Sequence, residues 1–204
     1  MGARPDHGTC AGTCKESEWV IDELLFATDS TESVKYALNI RGKPYNSLGG
    51  ILALIFSQTS GYRILGWLGG EVASGQAPNL IRLSRSGVDG GAPSGATGQI
   101  LPGKGAVCCD DPDDLAKCTA QAKTRCFNGS HTFKVDTSIQ AGGLLRGSQH
   151  GGSFSLGPGP AVLLLGQVGK DRIYLPLRWA SLSGTWNAPG EMKGVLAGAI
   201  PLSH

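Results

Sequence analysis

Cys108 and Cys109 are adjacent, and neighbouring cysteines seldom reach the separation and side-chain directions that a mutual disulfide needs. Each is therefore expected to face a different partner. The chain holds six cysteines, Cys10, Cys14, Cys108, Cys109, Cys118 and Cys126, an even number that allows fifteen pairings. With 32 glycines in 204 residues, about 16% against a usual ~7%, the backbone has much conformational entropy to lose on folding. Cross-links would offset part of that loss, so the sequence predicts a chain braced by disulfides and rich in glycine loops.

The sulfur chemistry also bears on compartment. Asn128-Gly129-Ser130 is an Asn-x-Ser sequon beside the cysteine cluster, which makes Asn128 a candidate glycosylation site and favours an oxidising, extracellular or periplasmic setting. Met1 to Thr9 contain no hydrophobic signal region, so export is expected only with a leader removed beforehand. The alternative is a reduced cytosolic protein with a chance sequon. Zinc ligation by Cys10, Cys14 and His7, or by Cys118, Cys126 and His131, has poor ligand spacing.

Charge narrows the partners. Eighteen basic against 16 acidic residues give a formal +2, too little for a broad field that would hold nucleic acid or an anionic membrane. The longest purely apolar run, Ile51 to Phe56, falls far short of the roughly 18 residues of a membrane-spanning helix.

Local patterning favours strands. Residues 13 to 41 read as helical from Thr13 and Glu16 at capping-box spacing and from Val20, Ile21, Leu24 and Leu25; Trp19 to Thr28 also read as a buried strand, followed by a short helix after Ser30. Ile51–Phe56 and Tyr62–Leu68 read as a hairpin within Gly49 to Gly70. Residues 69 to 106 read as a loop insertion or linker around one short strand, Leu80–Leu83. Asp110 to Asp114 open a helix reaching Lys123, Thr132–Asp136 alternate as a strand, and Met192–Ile200 offer a last one. The clearest hairpin joins Ala161–Val168 to Arg172–Trp179 through Gly169-Lys170-Asp171, with Pro176 marking a sheet edge or a bulge. The expected fold is mainly β, an antiparallel sandwich or jelly roll with glycine-rich loops and one or two short helices, in a single domain over residues 1–204.

Several segments carry chemistry. Gly98 to Lys104 has the GxxxxGK spacing of a phosphate loop but continues with Gly105 in place of Ser or Thr. Asp29-Ser30-Thr31-Glu32-Ser33 has the form D-x-T-x-S after the apolar Leu24–Ala27, and it resembles the metal-ion-dependent adhesion site of von Willebrand factor A domains. That resemblance implies Asp29, Thr31 and Ser33 as ligands of a divalent cation, completed by a partner's carboxylate. An N-cap explains the same residues without metal, and no other cofactor is indicated. The 49–70 hairpin and Lys193–Leu196 resemble the first and last strands of laminin-G-like sandwiches, a likeness of pattern that transfers no functional residue.

For catalysis, His131 and His150 are the histidines away from the termini, no G-x-S-x-G elbow accompanies them, and Asp136, Glu71 and Glu191 are the available carboxylates. Of the aromatics, Tyr62, Trp67 and Trp179 fall in the sheet region. Trp186 lies in the turn-like Ser183–Gly190 with no apolar neighbours, and Trp186, Asn187 and Tyr62 are the candidate ligand-binding residues. The reading is a secreted binding or adhesion module that recognises carbohydrate or an extracellular protein through loops. The alternatives are an extracellular hydrolase, an oligomeric assembly subunit and a metal-dependent adhesion domain.

Overall fold

The computed structural model describes residues 14–25, 31, 34, 38–40, 43–45, 61–86, 94–111, 114–139, 142–168, 170–188 and 191–201. Among them the chain is mainly β. Its strands are β1 (Cys14–Ile21), the short ribbon β2 (Leu38–Ile40) and β3 (Lys43–Tyr45), β4 (Asn79–Ser86), β5 (Ser94–Pro102), β6 (Leu145–His150), β7 (Ser153–Val168), β8 (Asp171–Ala188) and β9 (Glu191–Ala199). Two helices accompany them among the described residues, α1 (Gly61–Ala73) and α2 (Leu115–Arg125). Seven strands pair antiparallel in the order β1-β4-β5-β6-β7-β8-β9, forming one curled half-barrel sheet. The two packed layers expected of a sandwich or jelly roll are replaced by this single meander.

Register divides the sheet into two faces, because side chains alternate along a strand and directly paired residues share a side. One row runs Arg85–Ala96–Gly147–Leu156–Leu182–Leu196 across β4 to β9, and beside it lie Trp19–Ile81–Ile100. These residues and their neighbours form the main core, with Ile100, Leu156 and Leu182 buried. The other face carries Ser148–Ser155–Ser183–Val195 and His150–Ser153–Thr185–Lys193.

Glycine allows the curl. A Cβ on Gly98 would lie 2.4 Å from Leu156 Cδ1, one on Gly184 would meet Phe154 Cζ at 2.8 Å, and one on Gly147 would meet Ser155 O at 1.9 Å. All three sit on strands, where core side chains at Gly98 and Gly184 and the β7 backbone at Gly147 occupy the space. The glycine content predicted as loop is spent partly inside the sheet. Closure shows in Arg85, whose guanidinium lies 5.5 Å from the Trp186 ring centroid although β4 and β8 are four strand spacings apart, about 19 Å in a flat sheet.

Three local predictions change. Residues 14–21 are a strand, not a helix, since tertiary pairing of Cys14–Ile21 with β4 overrides the capping-box signal. Tyr62–Leu68 lie on α1, so the 49–70 hairpin and its laminin-G likeness fail; Leu68 and Val72, four apart, are buried as a helix period requires. The strand expected at Leu80–Leu83 within the loop insertion or linker 69–106 is present and longer, as β4, and 94–102, expected there as loop, is the strand β5 of the same sheet. Gly98 to Pro102 therefore belong to a strand and not to a phosphate loop. Of Thr132–Asp136 only Val135 bridges, to Gly103.

Other predictions hold. The 161–179 hairpin is the core of β7 and β8, and Pro176 lies on the part of β8 beyond Arg178↔Ala199, where β9 has ended and a missing N–H costs no bond to it. α2 begins after Asp114, whose Oδ1 accepts the Lys117 N–H at 3.1 Å.

Between β5 and β6 the chain forms a cap braced by Cys108–Cys126 and Cys109–Cys118. The adjacent cysteines take separate partners, as predicted, and no described cysteine is free, which removes the zinc reading at Cys118, Cys126 and His131. Asp110 clasps Arg125 through both carboxylate oxygens, at 2.7 and 3.0 Å, across the mouth of the cap. Asp136 anchors the cap to the sheet. It is buried, pairs with Arg172 of β8 and accepts hydrogen bonds from the Ser138 N–H and hydroxyl, which hold its carboxyl below the usual range.

Candidate functional site

The site begins with a counting mismatch on β8. Ala161 pairs with Leu177 and Gly159 with Ala180, so β7 spends two steps where β8 spends three. The extra residue makes a bulge. Leu177 and Ala180 are both buried in the core, and the two residues between them, Arg178 and Trp179, are both exposed. Trp179 is 70% exposed.

Its backbone is as unusual as its exposure. Trp179 has φ +51°, and among the described residues it is the one non-glycine with positive φ. That conformation costs an L-residue roughly 1–2 kcal/mol, and glycine serves such bulge positions without the steric cost. Across from the bulge on β7 is the exposed Pro160; three residues earlier Gly157, beside Ala180 and Ser181, has φ +108° and no room for a side chain, since a Cβ would lie 2.4 Å from Ala180 O. The β7 strip beside the bulged strand thus carries Gly157 and the exposed Pro158 and Pro160. On the far side of the strip, Arg146 precedes the Gly147↔Leu156 pair and is exposed. Two strand spacings, about 10 Å, separate β6 from β8.

This arrangement suits recognition. A broad indole offers a π-face, guanidinium groups offer forked donors, and Ser181, Ser183 and Ser155 continue the outer side of β8 and β7 with hydroxyls.

Trp186 has different surroundings from those its sequence neighbours imply. It lies on β8, half-buried on the core side, stacked on Phe154 with centroids 5.0 Å apart and beneath Arg85. Its backbone N–H donates to Gly152 O at 2.9 Å. The apolar company missing from its own segment arrives from β7 and β9, where Phe154 and Met192 belong to the same cluster. Nearby, Gln149 Oε1 is buried without a partner.

The remaining candidates are dispersed. Asn187 is on β8 and Tyr62 on α1, with side chains outside the described residues. Asp29, Ser33 and Cys10 lie outside them entirely; Thr31 is helical and exposed, and Cys14 begins β1. Asn128 is exposed just after α2, its Oδ1 accepting from the Ser130 N–H at 2.9 Å and hydroxyl at 2.6 Å.

The carboxylates are each engaged separately. Asp136 faces Arg172, Glu191 faces Lys193 at 3.2 Å, and Glu71 accepts the Gln167 N–H at 3.2 Å while burial raises its pKa. Among the described residues, no three His, Cys, Asp or Glu side chains are grouped to hold a metal ion.

Sequence reasoning assigned Trp179 to the end of a regular strand and missed Arg146 and Arg178. The alternation through Leu175, Leu177 and Trp179 turns the indole inward, and nothing in those letters announces the extra residue that turns it out. No protein-family model, curated protein or solved structure matches the chain.

Proposed function

We propose that the protein is a secreted, disulfide-braced binding module that recognises carbohydrate on the outer side of its sheet, with Trp179 as the stacking residue. The carrying observation is the exposed indole at φ +51°. A residue that strains its backbone and covers little of its own protein is explained by what it contacts outside. The surrounding hydroxyls and guanidinium groups supply hydrogen-bonding partners for sugar hydroxyls.

Secretion is supported by the two disulfides and by the exposed sequon at Asn128, the proposed glycan attachment point. No helix of the described residues is long and apolar enough to cross a membrane. The binding surface is strand-borne, in place of the loops that the sequence alone favoured.

Titration of intrinsic tryptophan fluorescence across a panel of polysaccharides tests the reading. Wild type should bind at least one, Trp179→Ala should lose that binding with an unchanged far-ultraviolet spectrum, and a Trp179→Ala protein that binds as wild type does would overturn it.

A further inference from the structure

The arginines whose side chains are described fall into two groups. Arg82 pairs with Glu18 at 2.6 Å, Arg125 with Asp110 and Arg172 with Asp136, while Arg85 covers Trp186. Arg146 and Arg178 have no ion pair among the described residues, and both are exposed. They also flank the Gly157–Pro160 stretch of β7, Arg146 on β6 level with Gly157 and Arg178 on the β8 bulge beside Trp179, across from Pro160. His150 and Lys193 extend the same face.

From this placement we infer that the ligand is an acidic polysaccharide, bearing carboxylate or sulfate groups, which lies across the Gly157–Pro160 stretch of β7 with a sugar ring on Trp179 and its anionic substituents on Arg178 and Arg146. This rests on the binding reading above and adds its charge class. Guanidinium forks match carboxylate and sulfate oxygens with two parallel hydrogen bonds, and two of them two strands apart and three residues offset along the sheet suit an extended chain that carries its charges at regular intervals. The formal charge of the whole chain is only +2, so the preference is local and not a consequence of net charge.

The test is a set of titrations of the full chain with polygalacturonate, dextran sulfate and unmodified dextran at low and high salt. Wild type should bind the two acidic polymers about tenfold or more tightly than dextran at low salt, with the difference shrinking as salt rises. Arg146→Gln combined with Arg178→Gln should abolish the preference, whereas Lys170→Gln, at the distant β7–β8 turn, should change it less than twofold.

Trp179-dependent binding of all three polymers with equal affinity overturns the acidic preference and leaves the binding reading intact. Binding of none, or binding insensitive to Trp179→Ala, overturns both. An equal loss from Lys170→Gln would show general electrostatics and overturn the localised site, and competition by poly-glutamate as strong as that by polygalacturonate would overturn the choice of glycan over acidic peptide.

Discussion

Asn79 acts as a strand partner for Leu164. Its Nδ2 donates to Leu164 O at 2.8 Å, its Oδ1 accepts the Leu164 N–H at 2.8 Å, and the side chain is fully buried. The reason lies in the register: β6 pairs with β7 only between Ser153 and Leu156, so the later part of β7 has no strand on that side. Asn79 from β4 and Glu71 from α1 supply the missing bonds at Leu164 and Gln167. An exposed edge that would invite pairing with another chain is covered from within.

Replacing Asn79 by Ala should therefore cost about 2–4 kcal/mol in urea denaturation, because two buried backbone groups lose their partners. Asn79→Asp should be worse near neutral pH than near pH 4, since an ionised carboxylate faces the Leu164 carbonyl and cannot donate to it. Equal midpoints for Asn79→Ala and wild type would refute this role.

The two glycine clashes differ in kind. At Gly98 the obstruction is the end of the Leu156 side chain, which can turn aside, but at Gly147 it is the Ser155 carbonyl and Leu156 Cα, which cannot move without the strand. Gly98→Ala should lower stability by about 1–3 kcal/mol, and Gly147→Ala should lower it further or prevent folding. Thermal melts of the two variants check the order.

Trp179→Gly should do the opposite to stability. Removing a left-handed non-glycine residue should raise the melting midpoint, by about 1 kcal/mol of stability, while abolishing polysaccharide binding. A variant that melts below wild type would show that the indole supports the fold and does not strain it.

Acid should act through Asp136. Hydrogen bonds from Ser138 and the Arg172 charge keep its folded pKa below the ordinary 3.8, so its contribution is present above that value and lost as pH falls through the lower folded one. Glu71 has the reverse sign: burial raises its folded pKa above 4.5, so its contribution is largest below that value and falls as pH rises through the raised one. Denaturation at pH 3, 5 and 7 should show Asp136→Asn flattening the first dependence and Glu71→Gln the second.

Alkylation of the native protein should leave Cys108, Cys109, Cys118 and Cys126 unlabelled until reductant is added. Breaking the 18-residue Cys108–Cys126 link should cost about 3 kcal/mol on the loop-entropy account. Peptide mapping of native protein with labelled thiols at these positions would contradict the cap.

The sequence by itself determined what depends on neighbours along the chain. Adjacent cysteines had to part, Asp114 could cap the helix that follows, and the apolar runs around Lys170 had to pair as a hairpin, all within a few residues of one another. Tertiary structure decided the rest. Gly61–Ala73 reads as apolar and glycine-punctuated in either conformation, and burial of Leu68 and Val72 makes it a helix. Asn79 is an ordinary polar letter until Leu164, 85 residues away, lies beside it unpaired. Trp179 and Trp186 show the limit most plainly: one extra residue in β8 turns the first out of the sheet, and curling brings Phe154 and Arg85 to the second. A bulge is a mismatch between two strands, and curl is the sum of many registers, so neither is written in any single segment.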